Sequence, residues 1–223
     1  MRIGPIVLAT RNPGKIREIR QVLADSPACS PADHLAGGRV EVAGLEEFGG
    51  IPEPAEHGLT FAQNARDKAL YYAAATGRLC LADDSGLEVD ALGGAPGVHS
   101  ARYAADRCHA GADRATIDAA NNAKLLKALE GADDDRRAAR FVCHLALADA
   151  RRILIAAFDT MEGRIGREAR GSNGFGYDPL FFIPAMGCTT AELPTDRKNR
   201  ISHRGRAVRH FAELLKGLLL ETP

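Results

Sequence analysis

The chain contains no tryptophan and only 5% aromatic residues over its 223 positions, so an aromatic placed in a glycine-rich loop stands out. Lysine is also scarce: six residues (15, 68, 124, 127, 198 and 216) stand against 23 arginines. Neither sign of charge is in excess, with 29 Lys+Arg against 29 Asp+Glu. That balance argues against a general nucleic-acid partner, whose binding rests on neutralising phosphates. No apolar run approaches the ~18 residues of a membrane span, and the N-terminus has four strand-like residues and then a turn, unlike a signal peptide. We therefore expect a soluble, cytoplasmic protein with no membrane partner. The five cysteines (29, 80, 108, 143, 188) are odd in number, widely spaced and without a CxxC pair, which argues against a disulfide framework and a structural zinc site. Cys80 and Cys143 lie in apolar runs and read as buried thiols. With 45% hydrophobic and 26% charged residues, the chain can bury a core as one large domain or two small lobes.

Apolar strand-like runs alternate with amphipathic helical stretches, which indicates an α/β fold. Ile6–Ala9 reads as a first strand. A helix follows, with Ile16, Ile19 and Leu23 on one face, Asn12 at its N-cap and Pro13 at its first position. Residues 25–38 read as a loop. Thr60-Phe-Ala-Gln63 is a capping box that opens a helix closed by Gly77. Short strands are expected at 79–82 and 87–90, a helix from Asp113 to Leu129, and a hairpin of 141–148 and 153–158. A short strand at 180–183 and a last helix from about Ser202 complete the chain. Crossovers mixed with hairpins predict a mixed sheet with flanking helices.

Five segments could carry chemistry. Thr10-Arg11-Asn12-Pro13-Gly14-Lys15 joins a strand to a helix N-terminus, where free N–H groups and the dipole attract phosphate. Ala9 and Ile16 depart from a Walker A loop, and a well-capped helix with a surface lysine is the plain alternative. Asp83-Asp84-Ser85 ends a buried strand, where unpaired carboxylates are costly. Adjacent strand residues point to opposite faces, so one of the two enters a given site. Glu53 and Glu56 could add an oxygen, and hard carboxylate oxygens suit Mg²⁺; an Asx turn is the alternative. Lys68 sits with Asn64 in the stripe Phe61, Asn64, Ala65, Lys68, Tyr72, either as a phosphate clamp or snorkelling past Tyr72. In Gly174-Phe175-Gly176-Tyr177-Asp178-Pro179, Phe175 could stack on a base and Asp178 accept from a ring N–H, unless the aromatics fold into the core. Finally, Lys198, His203 and Arg204 fall in a basic segment. Cations in the first turn of the last helix oppose its dipole, which suits a nearby anion or electron-rich ligand. Arg197, Arg200 and Arg206 read as solvated surface.

Taken in order, these segments resemble the inosine triphosphate pyrophosphatase family. The match runs through Thr10-x-Asn12-x-Gly14-Lys15, Glu56-x-Gly58-x-Thr60-Phe61, Asn64-Ala65-x-x-Lys68-Ala69 and Ala82–Leu87. It continues through Leu92–Gly97, Ser100–Tyr103, Gly174–Pro179, Lys198 and Ile201–Gly205. Arg11, where many members have Gly, and a long 25–38 segment are the departures. The resemblance implies residues 1–223 as a single nucleoside triphosphate pyrophosphatase domain, an elongated two-lobed body with the nucleotide in the cleft between lobes, and a homodimer. It implies Asp84 as general base and, with Glu56, as Mg²⁺ ligand. Thr10 to Lys15 and Lys68 would hold the triphosphate, and Ser85 would touch the nucleotide. Phe175, Gly176, Tyr177, Asp178, Lys198, His203 and Arg204 would recognise the base. The implied reaction is water attack on the α-phosphorus of ITP, dITP or XTP, giving monophosphate and pyrophosphate. Donors facing the 6-oxo group would reject adenine, and a wall at C2 would reject guanine. A related house-cleaning nucleotidase acting on other modified or pyrimidine triphosphates is the alternative.

Overall fold

A computed structural model describes residues 4–26 and 40–221. From residue 27 onward, the loop expected over 25–38 lies outside the described residues. Seven strands pair in the order β2-β1-β3-β4-β5-β6-β7. The chain divides into two compact units, residues 1–84, 143–159 and 203–223, and residues 85–142 and 160–202.

The first unit holds β1 (Ile6–Leu8), α1 (Pro13–Asp25), β2 (Val42–Gly44), α2 (Phe61–Thr76) and the start of β3 (Cys80–Val89). It also holds the turn-proximal parts of β4 (Ala138–Ala148) and β5 (Ile153–Ile165), and α5 (His203–Glu221). β1 runs parallel to both neighbours, with Val7 opposite Ala43 on β2 and Cys80 on β3. Strand alternation sends Leu81 into one apolar cluster, with Ile19 and Leu23 of α1 and Val208, Phe211 and Leu215 of α5. Cys80 and Ala82 enter another, against Ala65, Ala69 and Tyr72 of α2. By the same alternation Asp83 belongs to the α1/α5 face and Asp84 to the α2 face.

The helix ends follow the expected chemistry except that the capping box at Thr60 is half formed, Gln63 Oε1 accepting from Leu59 N–H at 3.3 Å instead of from Thr60 N–H. Asn12 Oδ1 accepts from the N–H groups of Gly14 (2.9 Å) and Lys15 (3.2 Å), with Pro13 first in α1. Thr60 Oγ1 accepts from Gln63 N–H at 3.2 Å, and Gly77 closes α2 in the left-handed conformation. The two short strands expected at 79–82 and 87–90 are one continuous strand, β3. The hairpin turns at 149–152 as expected, but both its strands are longer.

The second unit contains the end of β3, α3 (Arg114–Ala128), parts of β4 and β5, β6 (Phe181–Ile183), β7 (Cys188–Thr189) and α4 (Thr195–Ile201). Strand β6 pairs antiparallel with β5 and β7. Its core joins Leu87, Leu125 and Leu129 to Phe141 and Phe181, whose rings stack with centres 4.3 Å apart. The short α4 and β7 are not anticipated from the sequence. Among the described residues Cys80, Cys108, Cys143 and Cys188 are free thiols, Cys80 and Cys143 fully buried. Among them, too, no helix is long and apolar enough to cross a membrane.

One buried arginine ties this unit together. Arg137 donates to the carbonyls of Ile165 (2.8 Å), Leu129 (2.9 Å) and Gly166 (2.8 Å). Its loss takes the arginine donor from the Ile165 and Gly166 carbonyls, while Leu129 O keeps Ala132 N–H at 3.1 Å, so we expect Arg137→Met to lower the unfolding free energy by about 2–4 kcal/mol, read by urea denaturation.

Candidate active site

The loop after β1 is built by its own side chains. Thr10 Oγ1 accepts from Asn12 N–H at 3.2 Å, and Ile16 N–H reaches Asn12 O at 3.0 Å. Because Asn12 takes the N–H groups of Gly14 and Lys15 and Pro13 has none, the first turn of α1 offers fewer free donors than its sequence suggests. The expectation of free backbone donors there is corrected: side chains, with the dipole, must carry any phosphate. Arg11 is exposed and its guanidinium donates to Ile51 O.

The two carboxylates on β3 have separate partners. Asp83, 1% exposed, takes Lys15 Nζ at 2.5 Å on Oδ1 and Arg204 Nε at 2.9 Å on Oδ2; Cys143 Sγ donates to Oδ2 at 3.3 Å. Arg204 also pairs with Glu18 of α1. Burial opposes the charge on Asp83, yet Lys15 and Arg204 hold its carboxyl well below the ordinary value of 3.8. Burial pushes the Cys143 thiol up, and the Asp83 carboxylate adds to this. The anion awaiting Arg204 in the first turn of α5 is therefore the protein's own Asp83 and Glu18. His203 beside it is buried. Sequence reasoning gives Asp83 no role of its own and misses Glu18 altogether. The only signal for Glu18 is a charge next to Ile19 on the buried side of α1.

Asp84 faces α2. Lys68 Nζ donates to Asp84 Oδ1 (2.7 Å), Glu56 Oε1 (2.9 Å) and the Asp83 carbonyl (3.1 Å). An ammonium has three donors, so all of Lys68's are engaged. Lys68 does not snorkel; its ammonium gathers the two candidate metal ligands. Burial works against its charge, but Asp84 and Glu56 raise its pKa. The Asp84 carboxyl lies above its ordinary value because burial raises it more than Lys68 and Lys15 lower it. Asp84 Oδ2 is buried without a hydrogen-bond partner among the described residues. Gly58 brings the Glu56 loop in: its N–H donates to Asn64 Oδ1 at 2.8 Å, and a Cβ there would stand 2.4 Å from that oxygen.

The second unit carries the aromatic loop. Gly174, with φ +78, lies so close that a Cβ would meet Asp178 Oδ2 at 2.0 Å. Asp178 Oδ2 accepts from Phe175 N–H (2.8 Å) and Lys198 Nζ (2.5 Å), and Oδ1 accepts from Thr190 Oγ1 (2.9 Å). Asp178 thus ties Phe175, Thr190 and Lys198 together inside the loop. Lys198 is buried, with Nζ 5.1 Å from the centre of the Phe175 ring. Tyr177 folds into the core and donates to Ser100 O at 2.9 Å, leaving Phe175 half-buried; Gly176 is half-buried, and so is Ser85 on β3. Arg197 and Arg200 are exposed, while Arg206 pairs with Asp159 at 3.2 Å.

The chain matches the Ham1 family over residues 6–214. The chain belongs to that family. A Ham1-family relative from Desulforamulus reducens, called a dITP/XTP pyrophosphatase, is 46% identical over 96% of this chain and 97% of its own. Another of that name, from Syntrophobacter fumaroxidans, is 49% identical over 97% and 86%. The solved structure of a HAM1 protein from Coxiella burnetii superposes with a TM-score of 0.77 at 40% identity, covering 96% of this chain and 98% of that one. The mixed seven-stranded sheet with flanking helices is thus the Ham1 fold.

Asp83 is ionised in the folded state with a depressed pKa, so its stabilisation is present above the ordinary 3.8 and is lost as pH falls through the depressed value. We expect Asp83→Asn to cost about 3–5 kcal/mol at pH 7, because Lys15 loses its anion and Arg204 keeps only Glu18 in a cluster left with a net buried positive charge. The gap from wild type should narrow only below about pH 4, read as urea midpoints across pH.

Proposed function

We propose that this chain hydrolyses non-standard purine nucleoside triphosphates (dITP, ITP and XTP) to the monophosphate and pyrophosphate, clearing them from the nucleotide pool. Full-length relatives named dITP/XTP pyrophosphatase support the substrate class and the hydrolysis. On this chain the reading rests on one observation: Glu56 and Asp84 converge on the Lys68 ammonium, with Asp84 Oδ2 buried and unpartnered among the described residues.

That donor set fits Mg²⁺. It offers hard carboxylate oxygens, and among the described residues no group of three or more His, Cys, Asp or Glu side chains forms a cage. Mg²⁺ is commonly held by one or two carboxylates, the remaining positions going to water and substrate phosphates. Glu56 and Asp84 would hold the ion, which when bound supplies charge neutralisation at the phosphates and the leaving pyrophosphate.

The protein's own groups do the rest. Asp84 orients the attacking water and accepts its proton, and its raised pKa brings it nearer to that task than an exposed aspartate. Lys68 fixes Asp84 and Glu56 in one geometry. Lys15 gives one donor to Asp83 and, with Thr10 and the positive end of α1, meets the triphosphate. Phe175 offers a half-buried ring face to the base, with the Lys198 charge against that ring. Arg204, held by Asp83 and Glu18, is a rigid donor for the 6-oxo group rather than a mobile one. Mg²⁺ dependence, a homodimer and a cytoplasmic location are further parts of this reading, supported by the family resemblance.

Incubation with dITP and Mg²⁺ should release pyrophosphate and monophosphate, with kcat/KM well above that for dGTP or dATP. Orthophosphate as the product, or equal efficiency on GTP and ITP, contradicts the reading. Asp84→Asn should lower kcat by about 10²–10⁴-fold while retaining nucleotide binding; near-normal turnover would remove Asp84 from the chemistry.

A further inference from the structure

We infer that Asp118 and Asn122, one turn apart on α3, are positioning residues for the base-stacking loop. They grip Gly176 on both sides of its Cα and thereby set the orientation of Phe175. Gly176 N–H donates to Asp118 Oδ2 at 2.8 Å, and Gly176 O accepts from Asn122 Nδ2 at 3.0 Å. Asp118 is itself braced by Arg114 at 2.7 Å, and Arg114 donates to Ala101 O at 3.3 Å. On the N-terminal side of the ring, Phe175 N–H is held by Asp178.

Phe175 needs this support because of its neighbours. Gly174 and Gly176 both adopt left-handed φ values, +78 and +62. Glycine pairs allow such angles but also allow many others, so the segment would spread over many orientations if left to itself. A stacking face contributes to binding only when its plane is already set, since ordering it on binding costs affinity. Asp178 and Lys198 fix the backbone before the ring and the space beneath it; Asp118 and Asn122 fix the residue after it. Two side chains at i and i+4 lie on one helix face, so α3 presents both to the same glycine.

The inference rests on the reading of Phe175 as the base platform, and steady-state kinetics on dITP separate the two. Phe175→Ala serves as reference, with loss of a whole stack limited to roughly a hundredfold in KM. Asp118→Ala and Asn122→Ala should each raise KM by about tenfold with kcat within about twofold and melting temperature close to wild type. Asp118→Asn keeps an acceptor for Gly176 N–H while losing the ion pair to Arg114, so it should retain near-wild-type KM. An unchanged KM in Asp118→Ala, a parallel fall of kcat and melting temperature, or an Asp118→Asn variant as impaired as the alanine would overturn the inference while leaving the function intact. If Phe175→Ala itself leaves KM unchanged, the base-platform reading fails and the inference with it.

Discussion

The ionised Asp83 carboxylate, buried between Lys15 and Arg204, is the constraint on which the first unit depends. Taking a single charge out of water costs several kcal/mol, and a lone buried aspartate would protonate instead. Here Glu18 completes a set of two cations and two anions, so the cluster is neutral as a whole. Lys15 and Glu18 come from α1, Asp83 from β3 and Arg204 from the start of α5. Satisfying one carboxylate therefore fixes two helices against one strand, and with them the loop from Thr10 to Lys15.

The neighbouring carboxylate is placed by the same strand geometry and used differently. Alternation along β3 turns Asp84 towards α2, where Lys68 draws it together with Glu56. In the second unit the same device recurs, with Asp178 receiving Lys198 beneath the Phe175 ring. Three of the six lysines thus each sit on an aspartate of a candidate site segment. In a chain that otherwise uses arginine, these are compact point charges with three donors, suited to gathering several oxygens at once.

Local chemistry makes much of the fold legible in the sequence. The Asn12 cap, the Thr60–Gln63 start and the Gly77 stop each act within four residues, and the structure reproduces them. The stripe from Phe61 to Tyr72 is buried as its 3.6-residue period requires. Elements stabilised from outside are not legible. α4 is seven residues long, begins after Pro194 and has no side-chain cap, so nothing local announces it. β3 reads as broken because Asp-Asp-Ser-Gly resembles a turn, and it stays a strand because distant cations satisfy its carboxylates. In the site, residue types are more legible than their partners. Arg204 and Glu18 meet across 186 positions, and no local pattern reports such a pairing. Sequence alone therefore names Lys68 and Arg204 without their carboxylate partners, which the structure supplies from Glu56 and Asp84 for the one and from Glu18 and Asp83 for the other.

The division of labour between Asp83 and Asp84 is tested most directly by a ¹³C NMR titration of the Asp83 carboxyl in the folded protein. Asp83 should stay ionised through and below pH 3.8, its ordinary value, until acid unfolding intervenes. A carboxyl signal titrating at or above 3.8 would mean that Lys15 and Arg204 do not hold the charge, and would contradict the account at its centre.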